Sequence, residues 1–302
     1  MLLSRRTLLV GAAAFAAVPG CTSHSFEVPP SLVLATGPEG AVFREIGAAL
    51  VAALREQLPG CDVTARPTGA SVENLRLLHS GQAQLALSSL DPIVEDVAGI
   101  SAVGRLYDSF MQVAVPTASP VRALRDLSGR TVSVGPVGSG TEFTATRLLE
   151  LLGVRARLLR MSHTEAAQQL SSGGIDALMA LTGIPTPAIT SVQDRVRMLD
   201  LPEEASQLAD RFPGPYVPAT IPATTYGTLP PNRTFAVPNL LLALNSLSAD
   251  VVEVVTRTVF TESARIVRGH PEASRINVRT GIATGQVPLH PGAERWFRSV
   301  KR

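Results

Sequence analysis

Gly138-Ser139-Gly140-Thr141-Glu142 brings two hydroxyls, two glycines and a carboxylate into one short stretch. Ser139 with Glu142 three positions later fits a capping box, in which the serine accepts the backbone N–H of the acidic residue. The glycines would also let a ligand approach the backbone, and the first N–H groups of a helix favour an anion. A capped helix and an anion cradle with Ser139, Gly140 and Thr141 as donors both remain open at this level. Thr68-Gly69-Ala70-Ser71-Val72-Glu73-Asn74 has a similar make-up. Ser71 is a good N-cap there, and Asn74 falls about one turn into the helix on the same side, as a second candidate donor. Asp91 follows the apolar run ending near Ser88 and precedes Pro92, either as a ligand acceptor or as a turn aspartate.

A nucleophilic serine is the competing chemistry. The elbow pattern Gly-x-Ser-x-Gly is absent, because Val137 and Thr141 stand at its two glycine places. The histidines are His24, His79, His163, His270 and His290, and none is paired by motif with an acid. No catalytic residue is assigned and no enzyme is expected, with a serine hydrolase a distant third reading. No Cys/His spacing resembles a structural zinc site, so neither a metal nor a cofactor is expected.

The elements that must position these residues come twice. Ser31–Thr36 is an apolar β-like run broken by Gly37-Pro38-Glu39-Gly40, and Phe43, Ile46, Leu50 and Leu54 then recur at helical spacing up to Pro59-Gly60. Thr131–Gly135 is a second such run, followed by Pro136-Val137-Gly138 and a helix with Phe143, Leu148, Leu151 and Leu152. Further on, a helix from Ser71 ends at Ser80-Gly81 before the strand Gln84–Ser88. A helix with the capping box Ser162–Glu165 ends at Ser172-Gly173 before the strand Asp176–Leu181. Two matches in the same order predict two α/β lobes of related architecture. Ligands of open α/β sheets lie outside the carboxyl ends of the strands, near helix starts. Facing lobes would bring both Gly-Pro-x-Gly turns to one cleft around a small, anionic solute. Met111–Val115 reads as a crossing strand, Pro213–Pro218 as the return link and Thr234–Leu240 as the strand that resumes the first lobe. The lobes are therefore predicted at 31–115 plus 216–302 and at 116–215.

Charge refines the class. The 302 residues carry 27 Lys+Arg against 25 Asp+Glu, and Lys301 is the only lysine. Residues 1–20 have a basic start at Arg5 and Arg6, then the apolar run Leu8–Val18, too short to span a bilayer, as in an export signal. Ser4–Leu9 resembles a twin-arginine signal, and Val18-Pro19-Gly20-Cys21 resembles a lipobox with Cys21 as the acylated first mature residue. The alternative is an ordinary secretory signal cut nearby, with Cys21 a plain thiol. Residues 21–30, with Pro29-Pro30, read as a stiff tether. Without residues 1–20 the chain keeps 25 basic and 25 acidic residues and is formally neutral. That removes the main support for a nucleic-acid partner.

Several segments resemble the TAXI family, the TRAP-associated extracytoplasmic immunogenic proteins. They are Ala35–Gly40, Thr68–Leu75, Asp126–Thr141, Ile221–Tyr226 and Pro288–Arg295, and the resemblance spans Leu32 to Phe297. It implies a two-lobed type II periplasmic-binding-protein fold with a mixed sheet in each lobe and crossing hinge strands. It also implies a monomeric receptor that captures a small carboxylate and delivers it to TRAP-type membrane subunits. The receptor would be held at the bacterial membrane by lipid on Cys21. By motif match the cleft residues would be Thr36, Gly37, Ser71, Asn74, Asp91, Ser139, Gly140, Thr141 and Gly183. Where the family often has Gly-Gly followed by a tyrosine pair, Gly40-Ala41-Val42-Phe43 stands here, and a Gln-Ser-Asp stretch is replaced by Ser89-Leu90-Asp91. Both departures predict a pocket less polar than that of a glutamate receptor. A ligand sensor without transport has the same cleft and is the alternative reading.

Overall fold

The computed structural model describes residues 27–301; the expected signal segment, Cys21 and the tether up to residue 26 lie outside the described residues. The chain begins with β1 (Ser31–Ala35), α1 (Val42–Gln57), β2 (Asp62–Arg66), α2 (Ser71–His79), β3 (Leu85–Ser89), α3 (Leu90–Ile93) and the long β4 (Ile100–Pro116). A second set follows: β5 (Thr131–Ser133), α4 (Gly140–Leu151), β6 (Arg157–Leu159), α5 (His163–Ser172), β7 (Ala177–Thr182), α6 (Pro187–Thr190), β8 (Val196–Met198) and α7 (Pro202–Arg211). The chain returns through β9 (Val217–Ile221) and the long β10 (Asn232–Leu244) to α8 (Ala249–Thr261), α9 (Ser263–Ile266), α10 (Val278–Gly281) and α11 (Pro291–Val300).

The strands run in the order β2-β1-β3-β10-β4-β7-β5-β6, with β8 on β4 and β9 on β10. β1 is parallel to β2 and β3, and β5 is parallel to β6 and β7. Between these sets run β4 and β10, antiparallel to each other and to their outer neighbours β7 and β3. Each set thus hangs on a different end of one two-stranded ribbon, as the expected crossing strands require. This is the α/β, two-lobed arrangement with mixed sheets.

Local sequence explains most elements. Phe43, Ile46, Leu50 and Leu54 are all buried on α1, and α1 stops before Pro59-Gly60. Ser139 and Ser162 cap α4 and α5 by accepting the N–H of Glu142 and Glu165. One cluster packs α1 and α8 on the first set, with Phe260, Trp296 and Phe297 in mutual ring contact. A second cluster runs through both sets, from Leu75 and Leu78 to Met111, Leu148 and Phe235. The stretch 217–229, expected with the first lobe, packs differently. Ile221, Tyr226 and Leu229 are buried with Ala166, Leu170 and Ile189, because β9 pairs with the end of β10 that lies beside the second set.

The Pro288–Arg295 motif docks the last helix. The His290 N–H donates to the Ala102 carbonyl of β4, the Ala102 N–H donates to the Pro288 carbonyl, and His290 caps α11 through Nδ1, which accepts the Gly292 N–H. A side chain at Gly292 would lie 2.0 Å from the Ala249 carbonyl oxygen, so α11 meets the start of α8 backbone to backbone. Arg295 completes the joint with ion pairs to Asp250 and Glu253. Among the described residues no helix is long and apolar enough to cross a membrane.

Candidate ligand-binding cleft

A cleft lies between the two sets, where the starts of α1 and α2 face the starts of α4 and α5. The room for centres of water-sized groups is about 80 Å³, which suits a small solute. Val42, Phe43, Ala70 and Leu181 give it apolar walls, and Ser71, Ser89, Ser109, Ser139, Thr141 and Tyr107 supply hydroxyls. No arginine or lysine lines it among the described residues.

The α4 start follows the sequence reading closely. Ser139 Oγ accepts the Glu142 N–H at 3.0 Å, while Glu142 Oε2 reaches past the cap to accept the Gly138 N–H at 2.7 Å. The N–H groups of Gly140 and Thr141, on the cleft wall, have no acceptor among the described residues. Thr141 Oγ1 accepts the Leu181 N–H at 3.0 Å and lies 3.3 Å from His163 Nε2. Burial pushes the His163 imidazolium down to about 4, so the ring is neutral at physiological pH. On the opposite wall α1 begins at Val42 without a side-chain cap, and the Val42 and Phe43 N–H groups are also without acceptors. Two helix starts, of 16 and 12 residues, thus present free donors and their positive dipole ends to one cavity.

The α2 start departs from the expectation. Its N-cap is Ala70, at φ 101°, and Ser71 is already the first helical residue. Ser71 Oγ turns to Ser89 instead, accepting its N–H at 3.1 Å and meeting its hydroxyl at 3.1 Å. The Val72 and Glu73 N–H groups donate to the Gly138 carbonyl of the opposite set, at 3.0 and 3.2 Å. An acceptor from across the cleft has replaced the expected serine cap.

Four of the nine expected residues, Ser71, Ser139, Gly140 and Thr141, line the cleft, and five do not. Asn74 is fully buried; its amide donates to the Thr36 and Leu87 carbonyls at 2.7 Å each and accepts from Thr68 Oγ1 at 2.6 Å, so both hydrogens are consumed inside one set. Thr36 Oγ1 donates to the Arg66 carbonyl, and Gly37 sits behind Phe43. Gly183 packs on Glu272, whose Cγ would lie 2.6 Å from an added Cβ. Asp91 is fully buried at the junction of the sets, where its Oδ2 accepts from Thr144 Oγ1 on α4 and from Tyr216 OH at 3.1 Å. Arg147 backs this group. It donates to Tyr216 OH at 3.1 Å and lies 4.3 Å from the ring centres of both Phe143 and Phe212. Burial raises the Asp91 carboxyl above its ordinary value of 3.8, against the pull of these donors.

Sequence reasoning missed the floor of the cleft. Tyr107 and Ser109 come from β4 and Asn239 from β10. Tyr107 and Ser109 stand two apart, the spacing at which residues share a strand face, in a run that also carries Arg105 and Asp108. Asn239 Nδ2 donates to Ser109 Oγ at 2.8 Å and to the Tyr107 carbonyl at 3.2 Å, tying this floor together. Burial holds the Tyr107 phenol well above its ordinary 10.0, so it stays a protonated donor, and Phe43 meets its ring edge-on at 6.4 Å.

The profile of the NMT1-like family matches residues 34–300 of the chain. Among solved structures, a putative L-cystine ABC transporter protein from Listeria monocytogenes aligns at 11% identity and TM-score 0.54, over 84% of this chain and 98% of that one. The alkanesulfonate-binding protein SsuA from Xanthomonas axonopodis pv. citri, bound to MOPS, aligns at 15% identity and TM-score 0.50, over 90% and 85%. The amino acid ABC transporter substrate-binding protein AbpA from Streptococcus pneumoniae, bound to L-arginine, aligns at 18% and TM-score 0.50, over 81% and 94%. These likenesses establish the periplasmic-binding-protein fold.

Proposed function

The chain belongs to the NMT1-like family, and from that premise we propose that it is an extracytoplasmic solute receptor for a small organic carboxylate. The observation that carries this reading is the pair of helix starts whose first N–H groups, at Val42–Phe43 and Gly140–Thr141, have no acceptor among the described residues and face one small cavity. Backbone donors and dipole ends hold an anion without an arginine, and do so with less desolvation than a buried ion pair demands. Ser71, Ser139 and Thr141 add hydroxyls at this end, while Phe43, Leu181 and the Tyr107 ring favour an apolar body on the ligand. The proposed ligand is therefore a carboxylate less polar than glutamate. The receptor closes its two lobes on it and hands it to TRAP-type membrane subunits, as a TAXI-family protein tethered through lipid on Cys21.

Calorimetry and thermal shifts on residues 21–302 test this with a panel of aliphatic acids, keto acids, dicarboxylates, sulfonates and glutamate. An aliphatic carboxylate is expected to bind best, stabilising the protein by about 2.7 kcal/mol at a hundredfold excess over its Kd. Stabilisation by no anion overturns the reading, and tightest binding of glutamate overturns the ligand class.

A further inference from the structure

The two sets touch at the cleft through backbone, and one missing side chain makes the contact possible. A Cβ built on Gly69 would lie 2.2 Å from the Val137 carbonyl oxygen. The next carbonyl, of Gly138, accepts the Val72 and Glu73 N–H groups at the start of α2. The loop is held ready for this seat from its own side: Glu73 Oε2 accepts the Gly69 N–H at 2.6 Å and Thr68 Oγ1 accepts the Ala70 N–H at 3.1 Å. Ala70 keeps a φ of 101° there, a conformation that persists only where its surroundings dictate it. On the other partner, a Cβ on Gly140 would come within 2.8 Å of Ser89 Oγ and 3.0 Å of Ser71 Oγ.

We propose that Gly69 is a positioning residue for ligand capture: its bare Cα is the seat on which the Val137–Gly138 peptide docks to shut the cleft. The proposal rests on the reading of the cleft as a solute site, but every contact of the clasp is between protein atoms. The proposal therefore includes that the clasp forms in the free protein, with the first N–H groups of α2 capped by the opposite lobe. Gly69 does not occupy the left-handed region, so alanine fits its own backbone and conflicts only with the Val137 oxygen and the movable Glu73 carboxylate.

Amide hydrogen exchange on the ligand-free protein tests the clasp. In Gly69→Ala the Val72 and Glu73 amides are expected to exchange at least tenfold faster. The Asn74 amide, bonded to the Ala70 carbonyl within its own set, should keep its protection. X-ray scattering should show a larger radius of gyration. Gly140→Ala, which meets only hydroxyls that can rotate away, should give the same changes more weakly. Unchanged protection at Val72 and Glu73 overturns the proposal, as does loss of protection at Asn74 as well, which would mean that α2 itself had unravelled. Because no ligand is present, these outcomes are independent of whether the carboxylate panel succeeds.

Discussion

The starts of α2 and α4 are near equivalents in sequence and opposites in structure. Each has glycine, a serine and an acid two or three places beyond it. Ser139 caps its own helix and leaves the Gly140 and Thr141 N–H groups free for a ligand. Ser71 does not cap, and the corresponding donors of α2 are taken by Gly138. The polar residue one turn further on differs too: Asn74 binds within its own set, whereas Thr144 bonds Asp91 across the junction. One helix start serves the ligand and the other serves closure. Internal similarity therefore predicts shared architecture but not shared roles.

The largest effect that would break this contrast is at Asn74. Asn74→Ala leaves the Thr36 and Leu87 carbonyls and the Thr68 hydroxyl buried without their partner, which is expected to cost about 3 kcal/mol of unfolding free energy. Denaturant titration measures it; a loss below about 1 kcal/mol with abolished binding of the best carboxylate would return Asn74 to the ligand site.

A smaller effect separates the Asp91 junction from the cleft by pH. A carboxyl raised in the native state contributes stability that is complete below its ordinary 3.8 and lost as pH climbs through the native value. Acidification from neutral pH should therefore shift the stability difference between wild type and Asp91→Asn in favour of wild type. Paired unfolding curves across that range show it, and a shift of opposite sign would mean that Asp91 is held ionised by Arg147, Thr144 and Tyr216. The smallest effect is at the cap: Ser139→Ala should lower stability by about 1 kcal/mol through the lost bond to Glu142. Thermal unfolding checks it, and no change would place Ser139 on a par with the non-capping Ser71.

Much of the scaffold was legible. The apolar spacing of α1, the capping serines at 139 and 162 and the two Gly-Pro-x-Gly turns depend on neighbours a few residues away, and they stand where the sequence places them. The cleft was legible in part, because Ser139, Gly140 and Thr141 act through their own helix start. Asn74 and Asp91 were read as ligand groups since their side chains suit that chemistry, but each met its hydrogen-bond partners inside the protein. Tyr107, Ser109 and Asn239 escaped notice because β4 and β10 are adjacent in the sheet and far apart in the chain.

By itself the sequence determined which segments are helices and strands, that they form two related sets and which helix starts carry donors, since these follow from backbone geometry and local hydrogen bonds. The tertiary structure alone decided where each donor is spent. A buried polar group takes whichever partner the fold brings within about 3 Å, and for Val72, Glu73, Asn74 and Asp91 those partners come from elsewhere in the chain.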